Sequence, residues 1–320
     1  PGAELLDVAV ERRRHASGIE RLVVTRHFAV PTALEPGDEV RSSERVTLTI
    51  TTEARVAPGL DRVDLLVTTD NPARDHRLRL GFPTGDATKR FRAATTFGVA
   101  ERSNRPPAHH GWWHEPTATF PHQGWISANG LTVIAPGLPE AEVTGDGTIA
   151  VTLLRAVGWM SRSEMPGRPI AAGPALATPD AQCPDGLTAS LVLRIEPPDE
   201  PFAPGRTAVL AAGDELGLRA VPAGDAPLIA PGRALLTITP EHVLCSAVKP
   251  AEDGDGLILR LLNPDDEIVE AEVTLGFPFS AVSSVRLDEE PDVGSLSIRD
   301  ESLRVPIGPH ALRTLRVRTD

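Results

Sequence analysis

Asp75-His76-Arg77-Leu78-Arg79-Leu80-Gly81-Phe82-Pro83-Thr84-Gly85 sets the reading of the whole chain. Side chains alternate along a strand, so Arg74, His76 and Leu78 are expected on one face and Asp75, Arg77 and Arg79 on the other. Pro83 and Gly85 then close the strand with turn chemistry. Charges this dense on both faces need partners wherever they are buried.

The same period of two recurs outward from this segment. Val46, Leu48 and Ile50 alternate with Thr47, Thr49 and Thr51, and Val269, Ala271, Val273 and Leu275 alternate with Glu270, Glu272 and Thr274. Both read as half-buried strands. Leu257–Leu262 is a continuous apolar strand, and Asn263-Pro264-Asp265-Asp266 predicts a hairpin back into the next strand. Leu6, Val8 and Val10 alternate too, so the opening segment reads as a strand. The 31 prolines and 27 glycines cut the chain too often for long helices. The expectation is an all-β chain: a large β domain over 1–200, a linker with crossing strands over 201–231, and a small β-sandwich over 232–320.

Composition narrows the function. A net charge of −12 and a pI near 5.3 exclude the basic face of a nucleic-acid binder. No run of about 18 apolar residues is available to span a membrane, and no signal peptide opens the chain. The chain begins Pro1-Gly2 without an initiator Met, which predicts a piece of a longer or processed protein. Cys183 and Cys245 are expected to be reduced, and no Asn-x-Ser/Thr sequon is present. A cytoplasmic setting follows from those two observations.

The most chemically loaded loop is His109-His110-Gly111-Trp112-Trp113-His114-Glu115, with His122 after it. Three readings remain open: a metal site, a sugar-stacking platform on Trp112 and Trp113, and a plain packed loop. With no tyrosine in the chain, these indoles are among its few aromatic platforms. Arg155, amid apolar neighbours in Thr152–Val157, is expected to pair with a carboxylate or a carbonyl. Arg168, between Gly167 and Pro169, can reach into a neighbouring site. Asp253-Gly254-Asp255-Gly256 reads as a turn. No nucleophile elbow, Walker loop or dinucleotide fingerprint occurs, and no carboxylate pair announces itself as acid and base.

Several longer stretches carry a resemblance. Thr69-Asp70-Asn71-Pro72-Ala73-Arg74-Asp75-His76-Arg77-Leu78-Arg79 followed by Phe82-Pro83-Thr84-Gly85 resembles the β region of glycoside hydrolase family 38. Leu138–Val143, Val151–Arg162, Ala172-Gly173-Pro174, Thr178-Pro179-Asp180-Ala181-Gln182-Cys183, Leu259–Pro264 and Pro309–Arg316 continue it in order. This family of α-mannosidases and mannosylglycerate hydrolases holds a zinc ion and an aspartate nucleophile in an N-terminal domain. The resemblance implies a large antiparallel β-supersandwich, galactose-mutarotase-like, plus a small C-terminal sandwich. It implies no catalytic residue, no metal ligand and no cofactor within these residues, with zinc in the parent catalytic domain. Arg168, Trp112 and Trp113 are the expected substrate-contacting residues. The implied partners are that N-terminal catalytic domain, a mannose-containing carbohydrate, and a second copy of the chain in a homo-oligomer. An exposed apolar patch is expected where the catalytic domain docks. The alternatives are a stand-alone carbohydrate-binding module and a purely structural sandwich.

Overall fold

The computed structural model describes residues 2–35, 37, 40–108, 111, 116–161, 173–196, 204–216, 229–230, 232–294, 296–299 and 302–319. Its chain divides into two compact units: Pro1–Ala93 with Glu101–Asp199, and Ala94–Ala100 with Glu200–Asp320. The all-β expectation holds.

The strands of the first part are β1 (Glu4–Arg14), β2 (Glu20–Pro31), β3 (Arg45–Val56), β4 (Val63–Thr69) and β5 (Arg77–Phe82). They continue as β6 (Arg90–Thr95), β7 (Gly98–Ser103), β8 (Phe120–Pro121), β9 (Trp125–Ala128) and β10 (Leu131–Ile134). Then come β11 (Glu140–Val143), β12 (Ile149–Arg155), β13 (Trp159–Ser161), β14 (Leu176–Ala177) and β15 (Leu187–Ile195). A nine-stranded sheet runs β1-β2-β3-β4-β15-β10-β9-β6-β7, a four-stranded one runs β5-β12-β11-β8, and β13-β14 form a separate ribbon.

The core lies between the two larger sheets. Val67, Ile126, Val133 and Leu191 from the large sheet meet Ile149, Val151, Ala141 and Val143 from the small one. The Thr-x-Thr alternation of β3 works as expected: Ile50 and Ala54 face this core, and Thr49 and Thr51 line the opposite face. The small sheet covers only part of the large one. The row Val10–Val24–Thr52–Val67 crosses four strands on the core face. Val67 is 0% exposed, whereas Val10 at the β1 end is 63% exposed. Leu5, Val8 and Leu22 are likewise exposed, so among the described residues the apolar face runs on uncovered to the sheet edge.

The second part contains α1 (Pro204–Leu216), β16 (Leu236–Thr239), β17 (Leu244–Pro250), β18 (Leu257–Asn263) and β19 (Val269–Leu275). It ends with β20 (Ala281–Val285), β21 (Ser297–Arg299), β22 (Ser302–Ile307) and β23 (Ala311–Arg318). Two sheets, β16-β19-β22-β21 and β17-β18-β23-β20, enclose Leu259, Leu261, Leu315, Val273, Leu303 and Val305.

Two expectations are corrected here. Helix α1 stands inside 201–231, where composition predicted a linker with crossing strands. Pro204 occupies the first turn, where its missing N–H costs nothing. The run Arg206–Ala212 then supplies Arg206, Ala208, Leu210, Ala211 and Ala212, all good helix formers. The turn at Asn263 also makes no hairpin. Strand β18 pairs with β17 and β23, while β19 pairs with β16 and β22. Residues 263–269 therefore arch from one sheet to the other. Asn263 is fully buried, and its Nδ2 donates to the carbonyls of Glu267 at 2.7 Å and Gly308 at 3.0 Å. Those bonds draw the chain out of the plane of its sheet.

Candidate functional site

The opening segment Asp75–Gly85 does not alternate over its whole length. Asp75 has φ +56°, and β5 begins only at Arg77. From there Leu78, Leu80 and Phe82 join the core, and Arg77 and Arg79 face outward. The outward arginines meet β11: Arg77 reaches Glu140 at 3.3 Å and Arg79 reaches Glu142. Arg155 joins the same ladder at 3.5 Å from Glu140, which also accepts from Thr152 Oγ1 at 2.7 Å. Arg155 has the expected carboxylate partner, but its side chain is 60% exposed rather than surrounded by apolar groups.

Asp75 has a different partner. Its N–H donates to Gln182 Oε1 at 2.9 Å, and Gln182 Nε2 donates back to Asp75 Oδ1 at 2.6 Å. Asn71 Nδ2 donates to the carbonyls of Gln182 at 2.8 Å and Cys183 at 3.1 Å. Asn71 and Gln182 are both buried, so these bonds are sheltered from water. The sequence motif around Asn71–Asp75 and the motif around Thr178–Cys183 are thus stitched into one clamp. His76 takes no part in it. Burial pushes its pKa below the ordinary value, against the opposing pull of the Arg74 backbone.

The clamp secures the base of the β13–β14 ribbon. Val157 N–H donates to the Ala181 carbonyl, and Thr178 N–H donates to the Gly158 carbonyl. Trp159, Met160 and Leu176 stand exposed on that ribbon. Arg168 lies outside the described residues, as do all of 162–172. Trp112 and Trp113 also lie outside them, with His109, His110, His114 and Glu115. His122 is described and is buried beside Phe120, with ring centroids 6.5 Å apart. Burial depresses its pKa to about 4, against the opposing pull of the Leu138 carbonyl.

Beyond the clamp the same two segments diverge around an open concavity of about 300 Å³. Thr69 and Asp70 border one side, and Asp185, Gly186 and Leu187 the other. Gly186 has φ +78°, and a Cβ there would lie 2.3 Å from the Thr69 carbonyl oxygen, so only glycine fits. Neither Gln182 nor this concavity was singled out from sequence. The threonines of β3 were the available signal, because a polar face built from threonine alone is distinctive.

The chemistry of the described residues does not fit a zinc centre. No three His, Cys, Asp or Glu side chains gather among them, and both thiols are free. No described helix is long and apolar enough to cross a membrane.

The described residues thus form two antiparallel sandwich units and a clamped ribbon. Residues 242–315 match the model for the glycosyl hydrolases family 38 C-terminal beta sandwich domain. Over 282 residues the chain is 30% identical to a Halalkalibacterium halodurans protein named "Putative mannosylglycerate hydrolase", covering 86% of this chain and 29% of that protein. It superposes on an alpha-mannosidase from Enterococcus faecalis V583 with a TM-score of 0.78 at 24% identity, over 98% of this chain and 35% of that one. A family 38 protein from Enterococcus faecalis gives a TM-score of 0.76 at 23% identity, over 98% and 37%. Residues 242–315 thus carry a glycosyl hydrolases family 38 C-terminal beta sandwich domain, and the chain as a whole has the fold of part of a family 38 protein. It spans about a third of the length of the relatives it matches.

Proposed function

We propose that this chain is the non-catalytic C-terminal β portion of an α-mannosidase-type retaining glycoside hydrolase, scaffolding a zinc-bearing catalytic domain that lies outside these residues. The observation that carries the reading is the uncovered apolar face of the nine-stranded sheet. Val10, Val8, Leu5 and Leu22 continue a core face with nothing among the described residues packed over them. Exposed apolar residues clustered on one sheet face mark a candidate interaction site. Relatives that carry about two thirds of their length outside the matched region supply a candidate to cover it.

In this reading Arg168, Trp112 and Trp113 are the residues that contact a mannose-containing carbohydrate. The zinc and the nucleophile belong to the other domain, and the protein works in the cytoplasm. A carbohydrate-binding module is a second reading, favoured by the threonine-lined concavity.

The test compares Pro1–Asp320 with the longer parent protein on an aryl α-mannoside in the presence of zinc. The parent is expected to turn over, and the isolated chain is not. A Val10→Arg, Leu22→Arg parent should lose solubility or activity, while the same changes leave the isolated chain folded. Turnover by Pro1–Asp320 alone, or a doubly substituted parent indistinguishable from wild type, overturns the scaffold reading.

A further inference from the structure

The outer face of the nine-stranded sheet carries hydroxyls in register. Thr25 on β2 lies opposite Thr51 on β3, Thr51 opposite Thr68 on β4, and Thr68 opposite Thr188 on β15. His27 Nδ1 bonds Thr49 Oγ1 at 3.0 Å one step along, and Thr25 and Thr51 hydroxyls meet at 3.3 Å. At the clamp end of this face the concavity is lined by Thr49, Thr51, Thr68, Thr188, Asp70 and Asp185, among others.

The lining excludes most ligand classes. No Lys or Arg lines it and two carboxylates do, so an anion is repelled. Leu187 is its single large apolar residue, so an apolar ligand gains little. With two carboxylates and no third His, Cys, Asp or Glu gathered nearby, a bare divalent cation lacks ligands. What remains is a molecule that both donates and accepts many hydrogen bonds. Each threonine hydroxyl can do either, and a carboxylate can accept from two adjacent hydroxyls. Among the described residues the Thr68 and Thr188 hydroxyls and the Asp70 and Asp185 carboxylates have no protein partner, so that capacity is free. The volume lies at the lower end for small-molecule sites, the size of one or two sugar rings.

We propose that the threonine-lined concavity at the β3–β4–β15 end is an ancillary binding site for a neutral polyhydroxylated ligand, a mono- or disaccharide. This rests on the lining alone and stands whether or not the scaffold reading holds. It also gives the clamp a second role. The bonds joining Asn71 and Asp75 to Gln182 and Cys183 fix the spacing of Asp70 from Asp185 across the mouth.

The test is an NMR titration of Pro1–Asp320 with methyl α-mannoside and with mannobiose, with inorganic phosphate, calcium and spermidine as separate probes. Saturable millimolar binding of the sugars is expected, with shifts confined to Thr51, Thr68, Asp70, Asp185 and Thr188. A Thr68→Val, Thr188→Val variant keeps strand propensity and removes two hydroxyls, and it should weaken the sugars about tenfold. If that variant does not fold, the location of the shifts in the wild-type chain decides. Absence of saturation, shifts elsewhere, affinity unmoved in a folded variant, or binding of spermidine or calcium without the sugars overturns the proposal.

Discussion

Gln182 and Asp75, 107 residues apart in sequence, exchange two hydrogen bonds, one to the backbone and one to the side chain of Asp75. Replacing Gln182 by Ala leaves the Asp75 N–H and one carboxylate oxygen without these partners in a half-buried position. A loss of about 1–3 kcal/mol is expected, read as a shift in the urea midpoint. Gln182→Glu should cost as much or more, since it sets a second carboxylate against Asp75. An unchanged midpoint for both would mean that the clamp contributes nothing.

Asn263 should be as sensitive for a different reason. Asn263→Ala removes the donor to the Glu267 and Gly308 carbonyls in a fully buried position. About 1–3 kcal/mol should be lost. Asn263→Asp should be no better, because a carboxylate cannot donate to either carbonyl. Thermal unfolding of both variants is the check.

His122 makes stability depend on pH with a definite sign. Its folded pKa of about 4 lies below the ordinary 6.5 because burial disfavours the charged ring. The unfolded chain therefore takes up a proton first as pH falls. The contribution is full above pH 6.5 and fades progressively as pH drops toward 4. It amounts to roughly 3 kcal/mol at most. His122→Phe should flatten the stability profile over that window. Urea titrations at pH 7, 6, 5 and 4.5 measure it, and parallel profiles for the two proteins would contradict it.

Gly186→Ala tests the close crossing beside the concavity. The left-handed backbone and the Thr69 carbonyl both resist a Cβ. A cost of about 1–3 kcal/mol is expected, with any sugar-induced NMR shifts lost alongside. A variant that is neutral in both respects would show that the crossing has room to relax.

The strands were legible because period-two alternation survives burial: β3 and β19 face the core with the residues their patterns named. Partner choice was not legible. A turn of Asn, Pro and Asp serves a hairpin and a cross-sheet arch equally well, and only the buried bonds of Asn263 decide between them. The helix Pro204–Leu216 was hidden by proline-rich flanks that outweighed its short run of helix formers. The site was half visible. The motifs holding Asn71, Asp75 and Gln182 were each recognisable, but a bond spanning 107 residues leaves no local trace.

The arch at Asn263 bears on how the terminal sandwich can form. Because it sends β18 and β19 to opposite sheets, each sheet joins one local hairpin, β17–β18 or β21–β22, to strands distant along the chain, as in β16 with β19 and β18 with β23. Loop closure must be met before most of these pairings reward it, which slows folding. Neither sheet can gather as a row of local hairpins, so an intermediate with one sheet complete has little to hold it together. The sandwich should condense in one late, cooperative step, and nascent chains leaving the ribosome would stay exposed to chaperones until β23 has emerged.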